Sequence, residues 1–160
     1  MGIVLLRVDE RLIHGQVTVG WGTELGLGRY VVIDDELPGR SLERDLYGLG
    51  VPDAAVAEFR TVAEAADRLG AWDSDAVRTA LLTRDLDHMV RLAAGRALEG
   101  RTVNLGGLHH APGRSRVLSY LFLGDEDFEC LRGLRGEGVS VVAQDLPGSR
   151  RVPGREILRG

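Results

Sequence analysis

Short apolar runs alternate with longer amphipathic ones along the 160 residues, and this alternation restricts the fold more than any other feature. Strand-like runs fall at 2–8 (GIVLLRV), 30–34, 54–59, 77–83, 101–105, 116–123 and 139–143. Runs with helical spacing fall at 15–27, 39–48, 61–70, 85–97 and 125–136. Strands separated by helices of this length form βαβ units, which set parallel strands side by side beneath the crossing helices. The chain therefore reads as α/β, one domain over 1–160. It has an open, mostly parallel twisted sheet of about seven strands, with helices on both faces. In the fourth helical run Leu86, Met89, Val90, Leu92 and Ala93 make an apolar stripe, and Thr83 in the preceding "TRDLD" offers a cap. The tail "QDLPGSRRVPGREILRG" holds two prolines and reads as irregular surface structure with one short helical turn.

Composition sets the outer limits. With 44% hydrophobic and 28% charged residues the chain reads as an ordinary soluble domain. No apolar run approaches the length of a membrane span, and "MGIVLLRVDE" is not read as a signal peptide because Arg7 and Asp9 interrupt it at once. These features point to the cytoplasm. A net charge of −4 without a basic stripe argues against nucleic acid as a partner. All 20 basic residues are arginine, which excludes a P-loop lysine and a Schiff-base lysine. The single cysteine, Cys130, precludes an internal disulfide and a cysteine-based metal cluster.

The first strand opens into "RVDERLIHGQV", residues 7–17, which gathers Asp9, Glu10, Arg11, His14 and Gly15 in seven positions. Ligands of open α/β sheets bind beyond the carboxyl ends of the strands, where this stretch lies. An unperturbed histidine titrates near 6.5, so roughly three-quarters is neutral at pH 7 and carries a nucleophilic ring nitrogen. Such a ring can accept a phosphoryl group without a separate strong base. Arg11 can place a guanidinium fork on phosphoryl oxygens. Gly15 and Gln16 begin a helix whose free N–H groups favour an anion. Asp9 can fix Arg11 or the loop. Against this stands the plainer alternative of a surface histidine beside an ordinary Asp9–Arg11 ion pair, and spacing alone does not decide between them.

"RVDERLIHGQV" closely resembles the amino-terminal active-site segment of IIB subunits of the mannose/fructose/sorbose family of the bacterial phosphotransferase system. The following "GWGTELG" and a second segment, "VNLGGLHHAPGRSRV", are similar to the same family. The resemblance implies a histidine phosphocarrier, a protein-N(pi)-phosphohistidine–sugar phosphotransferase. It would take its phosphoryl group from a IIA partner onto His14 and pass it to a sugar entering through membrane subunits IIC and IID. It implies Arg11 as the phosphoryl-stabilising arginine, Asp9 as the loop-supporting acid, and peripheral association with the transporter. No cofactor is implied, and a homodimer is left open. Other classes of the system use a cysteine on IIB, but Cys130 follows "DEDFE" in a helical run, a poor setting for a thiolate.

Other candidates carry two readings each. Thr83 either donates to the phosphoryl group or caps the next helix. His109 either lines the site or is a loop residue. A metal held by His109, His110 and His14 is disfavoured, because no acid sits at ligand spacing. Asp34, Asp35 and Glu36 read as a solvated turn before Pro38. Trp21 and Trp72 read as core or interface anchors. The tail reads as shorter than is common in the family. That departure keeps a rival function open: a regulatory phosphorelay protein whose His14 state controls binding to another protein, with no sugar substrate.

Overall fold

The computed structural model describes residues 2–159. The chain begins with β1 (Ile3–Val8), α1 (Gly22–Leu25), β2 (Arg29–Ile33), α2 (Ser41–Leu49), β3 (Val56–Arg60), α3 (Val62–Ser74) and β4 (Thr79–Thr83). It continues with α4 (Leu86–Leu92), β5 (Thr102–Leu105), β6 (Ser115–Leu118), β7 (Leu121–Leu123), α5 (Asp125–Gly136), β8 (Ser140–Ala143), β9 (Val152–Pro153) and α6 (Gly154–Arg159). One seven-stranded sheet runs in the order β3-β2-β4-β1-β5-β8-β9. Every neighbouring pair is parallel except β8 and β9.

Alternate residues of the strands feed two separate cores, as a sheet buried on both faces requires. Val31, Ile33 and Leu81 join residues of α3, α4, α5 and α6 on one face. Tyr30, Val32, Ala80 and Leu82 pack on the other face with Val17, Trp21, Leu37 and Tyr47. Trp72 lies in the first core, so both tryptophans are interior anchors.

The strand count agrees with the sequence reading, but the membership of the sheet does not. Residues 116–123 stay outside it. They break at Ser119-Tyr120 into β6 and β7, an antiparallel hairpin. The free edge of β7 is occupied by the loop after β5: Leu108 N–H donates to Tyr120 O at 3.0 Å, and Phe122 N–H donates to Leu108 O at 2.8 Å. The seventh place goes to β9, from the tail that reads as irregular. Pro153, which lacks an N–H, is tolerated there because β9 is an edge strand.

Two helix readings also change. The run 15–27 is a π-helical segment, Gln16–Trp21, continuing into α1, which stops where Gly26 adopts φ 63°. The run 85–97 divides: α4 ends at Leu92, and Gly95 at φ 69° sits within a separate 3-10 turn, Ala94–Arg96. Asp85, not Thr83, caps α4, its side chain accepting from His88 N–H at 2.9 Å. With β1 central in the sheet, its carboxyl-terminal loop is flanked by the ends of β4 and β5.

Candidate functional site

The loop after β1 is organised by one carboxylate. Asp9 is 1% exposed. Its Oδ1 accepts from the Arg11 backbone N–H and from Arg11 Nε, each at 3.0 Å. Its Oδ2 accepts from Arg11 Nη2 at 2.9 Å and from Arg7 Nη2 at 3.1 Å. Arg11 thus grips Asp9 with a two-pronged fork, the geometry in which a guanidinium is most constrained. Its Nη2 also donates to Gln16 Oε1 at 2.8 Å, tying the first residue of the π-helical segment into the cluster. Burial alone would raise the Asp9 carboxyl's pKa. The Arg11 side chain, the Gly107 N–H, the Arg7 charge and the Arg11 backbone N–H outweigh it and hold the carboxyl below its ordinary value.

His14 is held between two acceptors. Its Nδ1 lies 3.0 Å from Leu12 O. A carbonyl can only accept, so Nδ1 carries a proton in this contact. Its Nε2 is buried without a hydrogen-bond partner, 3.6 Å from Asp9 Oδ2. The side chain is 17% exposed, but Nε2 itself is shut off from solvent. Burial is the main force on its protonation and pushes the pKa below the ordinary value. Asp9 and the Leu12 carbonyl oppose that shift, and Arg11 and Arg7 add to it. The neutral ring is therefore favoured near pH 7.

The backbone here is unusual in two ways. Leu12 is fully buried and adopts φ 55°, a left-handed conformation costly for a branched side chain. That turn directs its carbonyl at the His14 ring. Beyond it, His14 O accepts from both Val17 N–H and Thr18 N–H at 2.9 Å, a tight start that leads into the wider π-helical segment. On the other side, Gly106 and Gly107 close in on the cluster. A Cβ on Gly106 would lie 2.2 Å from Arg7 Nη2 and 2.5 Å from Asp9 Oδ2, and one on Gly107 would lie 3.0 Å from Arg11 Nη2. Gly106 is needed for close approach, since a side chain there would displace Arg7 and Asp9, whereas one on Gly107 would press only on the end of Arg11.

The family model described as "PTS system sorbose subfamily IIB component" matches residues 3–159. The chain belongs to that family. The chain is 29% identical over 150 residues to the "N-acetylgalactosamine-specific phosphotransferase enzyme IIB component 1" of Escherichia coli strain K12, covering 93% of this chain and 94% of that protein. It is 28% identical over 146 residues to the mannose-specific EIIAB component of the same strain, spanning 91% of this chain but 45% of that longer protein. The crystal structure titled "manxB from Thermoanaerobacter tengcongensis" superimposes with a TM-score of 0.85 at 27% identity, over 98% of this chain and 95% of that one. As a IIB component the protein takes part in sugar phosphotransfer. The match reaches residue 159, so β9 and α6 belong to the family fold.

Within this IIB component, Asp9, Arg11, His14, Gly15 and Gln16 lie in one loop and helix start, as the sequence suggests. Gly15 is exposed, and Gln16 uses its side-chain oxygen to hold Arg11. Thr83 is fully buried. Its backbone O accepts from Asp9 N–H at 2.9 Å, and its hydroxyl donates to Asp85 O at 2.8 Å. It therefore braces the loop from below, and its one hydroxyl hydrogen is already committed. His109 does approach the loop, with Nδ1 2.9 Å from Glu10 Oε2, while Arg114 Nη1 donates to Glu10 Oε1 at 2.7 Å. The neighbouring His110 turns the other way and meets the edge of the Phe122 ring. Asp34 is not part of a solvated turn: it is 4% exposed, and its Oδ2 accepts from the N–H groups of Glu36 and Leu37. Burial pushes the Cys130 thiol above its ordinary pKa, and four nearby acids push it the same way.

The residue that the sequence reading passed over is Arg7. It is fully buried inside β1, between Leu6 and Val8. An arginine within a buried parallel strand must find partners or destabilise the fold. That interruption of an apolar run was the available signal.

Proposed function

We propose that this IIB component is a histidine phosphocarrier, accepting a phosphoryl group on His14 from a phosphohistidine IIA partner and passing it to a sugar during uptake through IIC and IID membrane subunits. The observation that carries the reading is the His14 ring. It is neutral by environment, belongs to a partly exposed side chain, and has its buried Nε2 facing an ionised carboxylate. A dianionic phosphoryl group does not fit on Nε2, where it would be enclosed beside Asp9. Nδ1 is therefore the acceptor, giving the N(pi) product.

For Nδ1 to attack, it must release Leu12 O and present its lone pair, with the ring proton on Nε2 opposite Asp9 Oδ2. The phosphorus–nitrogen bond of the donor's phosphohistidine breaks as the Nδ1–phosphorus bond forms. The donor imidazole leaves with that electron pair, so no proton need cross between the partners. Positive charge developing on the His14 ring is met at Nε2 by Asp9. Arg11 spends Nε and Nη2 on Asp9, and its remaining Nη1 donors serve phosphoryl oxygens. Backbone N–H groups at Gly15 and Gln16 assist there. His109 is a neighbour on the rim, reached through Glu10. The carrier meets the membrane through its transporter subunits; among the described residues no helix is long and apolar enough to cross a bilayer. The sugar is selected by those subunits.

Incubation with a phosphorylated IIA protein, followed by mapping of the label, tests this directly. The label is expected on His14 alone, acid-labile and base-stable, with nitrogen-15 NMR placing it on Nδ1. Label on Cys130, or full label on His14→Ala, would overturn the assignment. A labelled His14 that never delivers to a sugar in membranes carrying IIC and IID would instead mark a regulatory phosphorelay.

A further inference from the structure

Arg7 sits behind the carboxylate that faces His14, and both of its terminal nitrogens are held, while its Nε is buried without a partner. Nη1 donates to Asn104 Oδ1 on β5 and to Gln144 O at 3.0 Å, and Nη2 donates to Asp145 O at 3.0 Å and to Asp9 Oδ2 at 3.1 Å. Its guanidinium carbon lies 5.5 Å from the centre of the Trp21 ring, whose Nε1 donates to the same Asp145 O. Residues from β1, β5 and the segment after β8 thus hold one buried cation in place. The decisive detail is which oxygen it takes. Arg7 and Arg11 both donate to Oδ2, the oxygen that His14 Nε2 faces at 3.6 Å.

Leu12 O asks for a proton on Nδ1 and Asp9 asks for one on Nε2, and only an imidazolium satisfies both. An imidazolium has no lone pair and cannot accept a phosphoryl group. We propose that Arg7 is a positioning residue that occupies Asp9 Oδ2 and so prevents this carboxylate from converting His14 into an ion-paired, unreactive imidazolium. The charged groups facing the ring are Asp9, Arg11 and Arg7, all from β1 and its loop. From the segment after β8 the Asp145 carboxylate acts on Arg7, and from the loop after β5 the uncharged Gly107 N–H acts on Asp9. With two guanidinium groups on one carboxylate, a third cation at Nε2 gains little. With Arg7 removed, Oδ2 keeps only the Arg11 Nη2 bond and has capacity to bind it. The inference rests on His14 as the phosphoryl acceptor, but its first readout does not.

The test is nitrogen-15 NMR titration of His14 in the unphosphorylated protein, comparing wild type, Arg7→Met and Arg7→Lys. In Arg7→Met the protonation midpoint of His14 is expected to rise by about one pH unit, tenfold in the ratio of charged to neutral ring. Arg7→Lys, which keeps the charge, should stay close to wild type. Phosphoryl transfer to Arg7→Met should fall by up to about fivefold near pH 6.5 and recover toward wild type by pH 8.5, since raising pH restores the neutral ring. Damage to packing alone would not be repaired that way. Should Arg7→Met fail to fold, Asn104→Ala leaves the arginine in place but loosens it, and a smaller rise is expected. An unchanged His14 midpoint in the folded variant overturns the proposal even if His14 is phosphorylated. A raised midpoint in a protein that never accepts phosphate upholds the role of Arg7 and sinks the carrier reading instead.

Discussion

Two clusters at the carboxyl-terminal edge of the sheet use the same three residue types. After β1, Asp9 meets Arg7, Arg11 and His14. Beyond β2 and β4, Asp34 meets Arg84 at 3.0 Å and His88 at 3.7 Å. The second cluster looks at least as well equipped, since Asp85, Asp87 and His88 also offer atoms within 4.8 Å of one another. Yet His88 has no capacity to spare. Its Nδ1 lies 2.7 Å from Asp85 Oδ1, and its Nε2 accepts from the Asp35 backbone N–H at 3.2 Å. One nitrogen donates, the other accepts, and the neutral ring is satisfied. His14 has a buried nitrogen with no partner and an ionised acid beside it. A collection of Asp, Arg and His therefore says little about chemistry. A single unsatisfied ring nitrogen says much more.

The sharpest way to break this comparison is to remove each ring. His14→Ala should abolish phosphoryl acceptance from a phosphorylated IIA protein, while His88→Ala should accept at close to the wild-type rate. Comparable losses in both variants would show that the second cluster belongs to the site.

The arginines come next. Arg11→Lys keeps a positive charge but loses the planar fork on Asp9, and single-turnover transfer should slow by about ten- to a thousand-fold. Arg84→Lys should change the same rate by no more than about twofold, because Arg84 pairs with a carboxylate that only shapes a turn.

Acid unfolding separates the two regions on a smaller scale. The folded Asp9 carboxyl titrates below its unfolded counterpart, so in acid the folded chain binds fewer protons. Its stabilising contribution is complete above the unfolded value of about 3.9 and disappears as pH falls through the lower folded value. Asp35 is also shifted down, by the Val62 N–H first and Arg91 second, but at an exposed position. Denaturant midpoints between pH 5 and pH 2 should lose more of their acid dependence in Asp9→Asn than in Asp35→Asn. Equal effects would mean that burial at Asp9 adds nothing.

The smallest effect concerns the cap of α4. Asp85→Ala removes the acceptor of His88 N–H and should cost about 1 kcal/mol, or roughly 2–4 °C in Tm for a domain of this size. Phosphoryl transfer should be untouched.

Much of this molecule is written locally. The parallel sheet follows from apolar runs spaced by helical ones, and the stripe Leu86, Met89 and Leu92 is buried as its period requires. The loop bearing Asp9, Arg11 and His14 is one continuous stretch, so its place at a strand end could be read without knowing any partner. What escaped were features whose energy comes from contacts distant in sequence. β7 lies beside Leu108 rather than in the main sheet because its backbone finds partners in the loop after β5. The short β9 gains its place only by pairing with β8. Thr83 was a plausible cap, but its hydroxyl turned to Asp85 O and left the cap to a carboxylate. Arg7 is the clearest case. The sequence alone determined that a charge interrupts the first strand and that a histidine follows seven residues later. Only the tertiary structure decided that Asn104, Gln144, Asp145 and Trp21 would close around that charge and aim it at the carboxylate beside His14. A buried ion is tolerated only where several strands bring polar groups to it at once, and local sequence does not encode that convergence.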